Sequence, residues 1–161
     1  MPPRNLWSRE ELILAFNVYL KLPFGKLHAG TPMIRELAEL TGRTANSIAL
    51  RMTNYAACDP YHQARGISGM KGGIKQCQPI WDEFFNNREA LLFESERILA
   101  EKQKLTIESK FQNILQNTEH LQGEYKIREV KTRVNQNVFR QIVLANYSNQ
   151  CAITGLKVDQ L

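Results

Sequence analysis

Residues 31–57 read Thr31-Pro32-Met33-Ile34-Arg35-Glu36-Leu37-Ala38-Glu39-Leu40-Thr41-Gly42-Arg43-Thr44-Ala45-Asn46-Ser47-Ile48-Ala49-Leu50-Arg51-Met52-Thr53-Asn54-Tyr55-Ala56-Ala57. Their spacing decides the fold class. Thr31-Pro32 marks a helix start, because proline is tolerated where the first N–H groups need no intrahelical partner. Ile34, Leu37, Ala38 and Leu40 or Thr41 form an inner stripe, and Gly42 supplies the residue that most easily closes a helix in the left-handed conformation. Thr44 then caps a third helix running to about Ala57. Ala45, Ile48, Ala49, Met52 and Tyr55 or Ala56 face inward there, while Ser47, Arg51 and Asn54 share the opposite side.

Working outward, Ser8-Arg9-Glu10-Glu11 fits a capping box, with Trp7 and Leu12 placed for a hydrophobic staple. A first helix is predicted over 9–21, ended by Leu22-Pro23-Phe24-Gly25. Two helices joined by a tight glycine turn, the second with a short polar and arginine face, match a helix-turn-helix whose second helix lies in a DNA major groove. Arg43, Asn46, Ser47, Arg51 and Asn54 are the candidates for base edges or phosphate, since Arg suits guanine and Asn suits adenine by donor and acceptor geometry. The same pattern also describes the solvated side of a small helical bundle, and both readings stay open. The opening tryptophan and three-helix spacing resemble Myb/SANT-type trihelical modules.

Downstream, Arg65-Gly66-Ile67-Ser68-Gly69-Met70-Lys71-Gly72-Gly73-Ile74-Lys75 places four glycines among three cations. Glycine lets backbone N–H groups approach a phosphate, so Arg65, Lys71 and Lys75 are candidate backbone clamps. A flexible surface linker is the alternative. Trp81, Phe84 and Phe85 are read as core. Residues 88–121 lack proline and glycine and alternate charge with Leu91, Leu92, Ile98 and Leu99, which predicts one long helix, or two with a break near Thr106-Ile107. It is read as a connector able to dimerise, or as a helix packed back on its own domain. Tyr125-Lys126-Ile127-Arg128 alternates like a weak strand, Asn137 to Tyr147 reads as a helix, and Cys151 to Leu156 as a β-branched arm. The domains expected are 1–87, a helix-turn-helix-like DNA-binding unit; 88–123, a connector helix; and 124–161.

The chain has 161 residues, 43% apolar and 23% charged, with a formal charge of +5. No apolar run is long enough to span a bilayer, and the composition excludes collagen, a mucin-like stalk and wholesale disorder. Residues 1–87 carry ten Lys and Arg against seven Asp and Glu, 88–123 five against six, and 124–161 six against three. Basic ends permit a polyanion partner without requiring one. Cys58, Cys77 and Cys151 are odd in number and lack any Cys-x-x-Cys spacing, so they are read as reduced, buried thiols of a cytoplasmic protein. His28, His62 and His120 are read as surface residues.

Arg133, Gln136, Phe139-Arg140, Val143-Leu144, Tyr147 and Cys151-Ala152-Ile153-Thr154-Gly155-Leu156 resemble the opening of the nuclease domain in bacterial HNH endonucleases of the restriction type. Trp7-Ser8-Arg9-Glu10-Glu11, Leu22-Pro23-Phe24-Gly25-Lys26, Gly42-Arg43-Thr44 and the Arg65-Gly66 loop look like the amino-terminal module of the same proteins. The resemblance implies a mainly α chain ending in the start of a ββα-metal unit, a double-stranded DNA partner, Arg133 and Arg140 beside the DNA, and a homodimer on a two-fold site. In the family a later His serves as general base and further residues hold a divalent metal such as Mg²⁺. No histidine follows the arm here, so neither a catalytic residue nor a metal ligand can be assigned, and the chain reads as truncated before the catalytic His. The alternative is a helical adaptor, or a transcription-regulator-like module, with a dimerising helix and no membrane association.

Overall fold

A computed structural model describes residues 6–157, apart from the side chains of Lys71 and Ala145. Local signals set the first helices where their caps predict them. α1 (Arg9–Lys21) starts at a complete capping box: the Ser8 hydroxyl accepts from the Glu11 N–H at 3.2 Å, and the Glu11 carboxylate accepts from the Ser8 N–H at 2.7 Å. α2 (Pro32–Thr41) closes at Gly42 with φ 68°, and α3 (Ala45–Cys58) begins where the Thr44 hydroxyl accepts from the Ser47 N–H at 3.2 Å. Then follow α4 (Pro60–Ala64), α5 (Ile74–Phe84), α6 (Arg88–Lys102), α7 (Ile107–Lys110), α8 (Gln112–Leu115) and α9 (Gly123–Asn146). The protein is mainly helical, as its periodicity predicts.

Two apolar clusters make the core. The first is built around Phe16, whose ring stacks on Tyr55 at 4.7 Å and on Trp81 at 5.0 Å between centroids. Such pairs add about 0.5–1.5 kcal/mol beyond the area they bury. Trp81 and Phe84 are buried in it, whereas Phe85 remains 40% exposed. The second cluster joins Leu92 of α6 and Leu115 of α8 to Val130, Val134 and Val138 of α9. Helix α6 serves both, because Leu91 and Ile98 point into the first cluster and Leu92 into the second. A helix buried on two sides loses its single apolar stripe, and this is why 88–102 read as a charge-studded connector.

Several expectations need correction. The 88–121 segment is not a rod: α6 stops at Lys102, Lys104 takes φ 58°, and Thr106 recaps the chain by accepting from the Ser109 N–H at 3.1 Å. The break falls where Thr106-Ile107 marked it. Gly123 (φ 60°) opens α9 rather than ending a helix. Tyr125 to Arg128 form the first turns of α9, not a strand, because Val130, Val134 and Val138 extend a 3.6-residue stripe that outweighs four alternating residues. Residues 137–146 of the expected separate helix are the far end of the same helix, and Tyr147 lies just past it. Cys151 to Leu156 is a tight turn, with Cys151 N–H donating to Leu156 O at 2.9 Å and Gly155 N–H to Cys151 O at 2.8 Å. One antiparallel bridge, Gln150 to Lys157, closes it. Among the described residues there is no strand of the expected ββα unit.

Glu96 ties the two clusters together electrostatically. It is 3% exposed and accepts from Lys21 Nζ at 2.7 Å, Lys110 Nζ at 2.9 Å and Asn17 Nδ2 at 3.3 Å. α1, α6 and α7 therefore meet on one buried carboxylate.

Candidate nucleic-acid interface

The polar side of α3 is sealed. Arg51 is 8% exposed and Asn54 4%. Arg51 donates to Gly73 O at 3.2 Å, to Gln76 Oε1 at 2.9 Å and to Cys77 Sγ at 3.6 Å, and its guanidinium lies 4.7 Å from the Trp7 ring. Asn54 Nδ2 donates to Met70 O at 2.7 Å. What covers this side is α5 and the glycine-rich segment before it, not the 88–121 region. The assignment of Arg51 and Asn54 to an exposed face that meets base edges is thus corrected. An arginine carries five donors and no acceptor, and here the neighbouring segment accepts from both terminal nitrogens of Arg51 and leaves its buried Nε without a partner among the described residues.

The glycine segment has the same explanation. A Cβ at Gly69 would stand 2.7 Å from the backbone nitrogen of Ala57, and one at Gly73 would stand 2.6 Å from Asn54 Cγ and 2.7 Å from Arg51 Nη1. These two glycines let the segment lie directly on α3, which is packing rather than a phosphate cradle. Of the three candidate clamps, Arg65 is exposed and leans 5.2 Å from the Tyr61 ring of its own turn. Lys75 is exposed on α5. The side chain of Lys71 lies outside the described residues.

Arg43 is a structural anchor. Its guanidinium donates to both Glu11 oxygens at 2.7 and 2.8 Å and to Leu6 O at 3.0 Å, and it stacks 4.3 Å from Trp7. Burial raises the pKa of Glu11, but the Arg43 hydrogen bond, the Ser8 contacts and the Arg43 charge outweigh it, leaving that carboxyl below its usual range. Asn46 is exposed and Ser47 half-exposed at the first turn of α3. They are the part of the predicted recognition face that stays open.

α9 carries the larger free basic surface, which the sequence pattern divides between a strand and a separate helix. Arg128, Lys131 and Arg140 are exposed, and none of them forms an ion pair among the described residues. Arg133, by contrast, is committed to the fold: it donates to Glu129 Oε1 at 2.7 Å and to Ile114 O at 3.2 Å, pinning α9 to α8. Between α9 and the start of α6 lies a groove of about 590 Å³ bordered by Arg88, Arg128, Lys131, Asn135 and Phe139. The Arg88 guanidinium sits 5.5 Å from the Trp81 and Phe85 rings and donates through Nε to Phe85 O at 3.2 Å. Burial lowers its pKa.

The other singled-out residues are dispersed. Cys58 and Cys77 are buried, with burial pushing the Cys58 thiol up to about 12, so both are inert at neutral pH. Cys151 is half-exposed, and its thiol is held below the usual range by Thr154 and the turn's backbone N–H groups. His62 is 7% exposed beneath Phe24, at 4.7 Å between rings, so its reading as a surface residue is corrected. Among the described residues no three His, Cys, Asp or Glu side chains gather to hold a metal. The divalent cation implied by the HNH resemblance has no holder there, and no hydrolytic step follows from these residues. Among them, too, no helix is long and apolar enough to cross a membrane. Comparison with protein-family models, with curated proteins and with solved structures finds no match.

Proposed function

We propose that the chain is a duplex-DNA-binding module, the recognition portion of an HNH-type restriction-like endonuclease, and that it grips the phosphate backbone mainly with α9. The observation that carries this is the pair of exposed cations Arg128 and Lys131 on one side of the 24-residue helix, with Arg140 exposed on another side, none of them in an ion pair among the described residues. Cations without a protein partner are what phosphate contacts need, because each releases a counterion from the duplex when it docks. The open turn at Asn46 and Ser47, capped by Thr44, adds a second point where backbone N–H groups at a helix start meet phosphate. Arg65 and Lys75 supply further exposed charge.

The test is binding of the purified chain to a 20–30 bp duplex over a salt series. Affinity falls steeply as salt rises, and Arg128→Ala with Lys131→Ala weakens all sequences alike and reduces the salt slope by roughly 2, about one for each phosphate no longer neutralised. Absent or salt-insensitive binding overturns the proposal.

A second reading has its own observation. Phe139 and Val143 on α9 and Tyr147 just beyond its end recur at four-residue spacing and are 61%, 37% and 54% exposed, close in sequence to Ile153 at 94% and Leu156 at 68%. Such an unpartnered apolar stripe suits an adaptor or a homodimer. Sedimentation with the duplex-binding test decides it: a dimer that Val143→Glu converts to monomer, in a chain that does not bind duplex, favours the adaptor reading, and a monomer at every concentration removes it.

A further inference from the structure

The groove between α6 and α9 differs from the rest of the basic surface in being both charged and apolar. Arg128 and Lys131 from α9 and the base of Arg88 from α6 line it, the Arg88 guanidinium being turned to the Trp81 and Phe85 rings, while Leu92 and Phe139 supply apolar wall. Glu89 is the one acid on its rim. Asn135 lies against it, 8% exposed, and its amide oxygen has no hydrogen-bond partner and no access to water. Buried amide atoms are almost always satisfied, and this oxygen, closed to water, is closed to the open groove as well.

A paired duplex uses only the cations of such a site. Its bases are stacked inside and cannot reach Phe139, which stands 61% exposed with no aromatic ring against it among the described residues. Lys131 and Phe139 are eight residues apart on one helix, about 12 Å along its axis at 1.5 Å per residue. Helical side chains lean toward the N-terminus, which tilts Phe139 back over the Asn135 turn. A phosphate at the Arg128 and Lys131 end, a flat ring on Phe139 and a hydrogen-bonding edge at Gln136, exposed on the same lining, are the three contacts of one unstacked nucleotide. The volume of about 590 Å³ lies within the range of small-ligand sites.

We infer that this groove receives a single unpaired nucleotide of a DNA strand, so that the chain prefers duplexes carrying an extruded or bulged base. The inference rests on the duplex-binding proposal and sharpens it. Free nucleotides share the same chemistry, and the experiment separates the two sources.

The experiment compares the full chain's affinity for a paired duplex, for the same duplex with one central unpaired nucleotide, and for a free nucleoside monophosphate. The bulged duplex binds about tenfold tighter than the paired one, the gain of one base stacked on an aromatic ring. Phe139→Ala abolishes that gain and leaves paired-duplex binding and helical circular dichroism unchanged. Arg128→Ala weakens both duplexes together. Equal affinity for the two duplexes overturns the inference and leaves the duplex reading standing. Failure to bind either duplex overturns both. A free monophosphate that binds as tightly as the bulged duplex overturns the polynucleotide source.

Discussion

Replacing Gly73 by alanine tests the central structural claim, that the polar side of α3 is closed by its own chain. Gly73 has φ −107°, an ordinary value for any residue, so the substitution brings no backbone strain. The added methyl would instead stand within 2.7 Å of both Asn54 Cγ and Arg51 Nη1. Relief requires the glycine segment to lift or the Asn54 and Arg51 side chains to swing aside, and either stretches the bonds from Arg51 to Gly73 O and from Asn54 to Met70 O. Each buried donor left unsatisfied costs about 1–3 kcal/mol. The two together predict a loss of roughly 2–5 kcal/mol, and in a chain of this size a melting point lowered by on the order of 10 °C. Gly72 is the matched control: a Cβ there meets nothing within 4 Å. Gly72→Ala changes stability by no more than about 1 kcal/mol, and in the favourable direction if the unfolded chain loses freedom. Urea titrations of the two variants followed by circular dichroism make the comparison. If Gly73→Ala unfolds at the same urea concentration as Gly72→Ala, the segment does not sit on α3, and Arg51 and Asn54 are again available to a groove.

Other consequences are separable. Glu96→Gln strips the charge from a carboxylate shared by Lys21 and Lys110 and destabilises by about 3–5 kcal/mol at neutral pH, the usual cost of leaving buried charge uncompensated. Its pH dependence has a definite sign. Burial raises the Glu96 pKa, but the charges and hydrogen bonds of Lys21 and Lys110 outweigh it, so the folded value lies below the ordinary 4.5. The carboxylate's stabilisation is thus present above that ordinary value and is lost as pH falls through the folded one. The stability gap between wild type and Glu96→Gln, measured by urea midpoints, narrows from pH 6 to pH 3; a gap that widens in acid refutes the assignment. Arg133→Ala costs about 1 kcal/mol of stability through its bond to Ile114 O, with little change in duplex affinity, whereas Arg140→Ala weakens duplex binding and leaves the melting temperature within about 1–2 °C. Reversed outcomes for that pair would show the roles on α9 to be misassigned.

Helix boundaries were legible wherever a short-range interaction fixed them. The Ser8–Glu11 box, Gly42 and Thr44 each act within four residues, so spacing alone located α1, α2 and α3. The same local logic placed Trp81 and Phe84 in the core and a break at Thr106. It failed at α6, where two buried sides erase amphipathic contrast, and at α9, where Tyr125-Lys126-Ile127-Arg128 imitates a strand over four residues but opens a 24-residue helix whose buried stripe is Val130, Val134 and Val138. The groove between α6 and α9 was out of reach for a related reason. Arg88 and Arg128 are forty residues apart, and no periodicity within either helix says that they will meet.

The sequence by itself therefore determined that this is a helical protein, where its early helices begin and end, and that its charge surplus lies toward the two ends. Only the tertiary structure decided which polar faces look outward. Arg51 and Asn54 sit opposite the apolar stripe of α3, a position that amphipathicity reserves for solvent, yet both donate to carbonyl oxygens of a segment some twenty residues on. A hydrogen-bond donor is indifferent to whether water, a phosphate or a neighbouring backbone accepts from it. Composition and periodicity count such donors, and long-range packing alone supplies the acceptor.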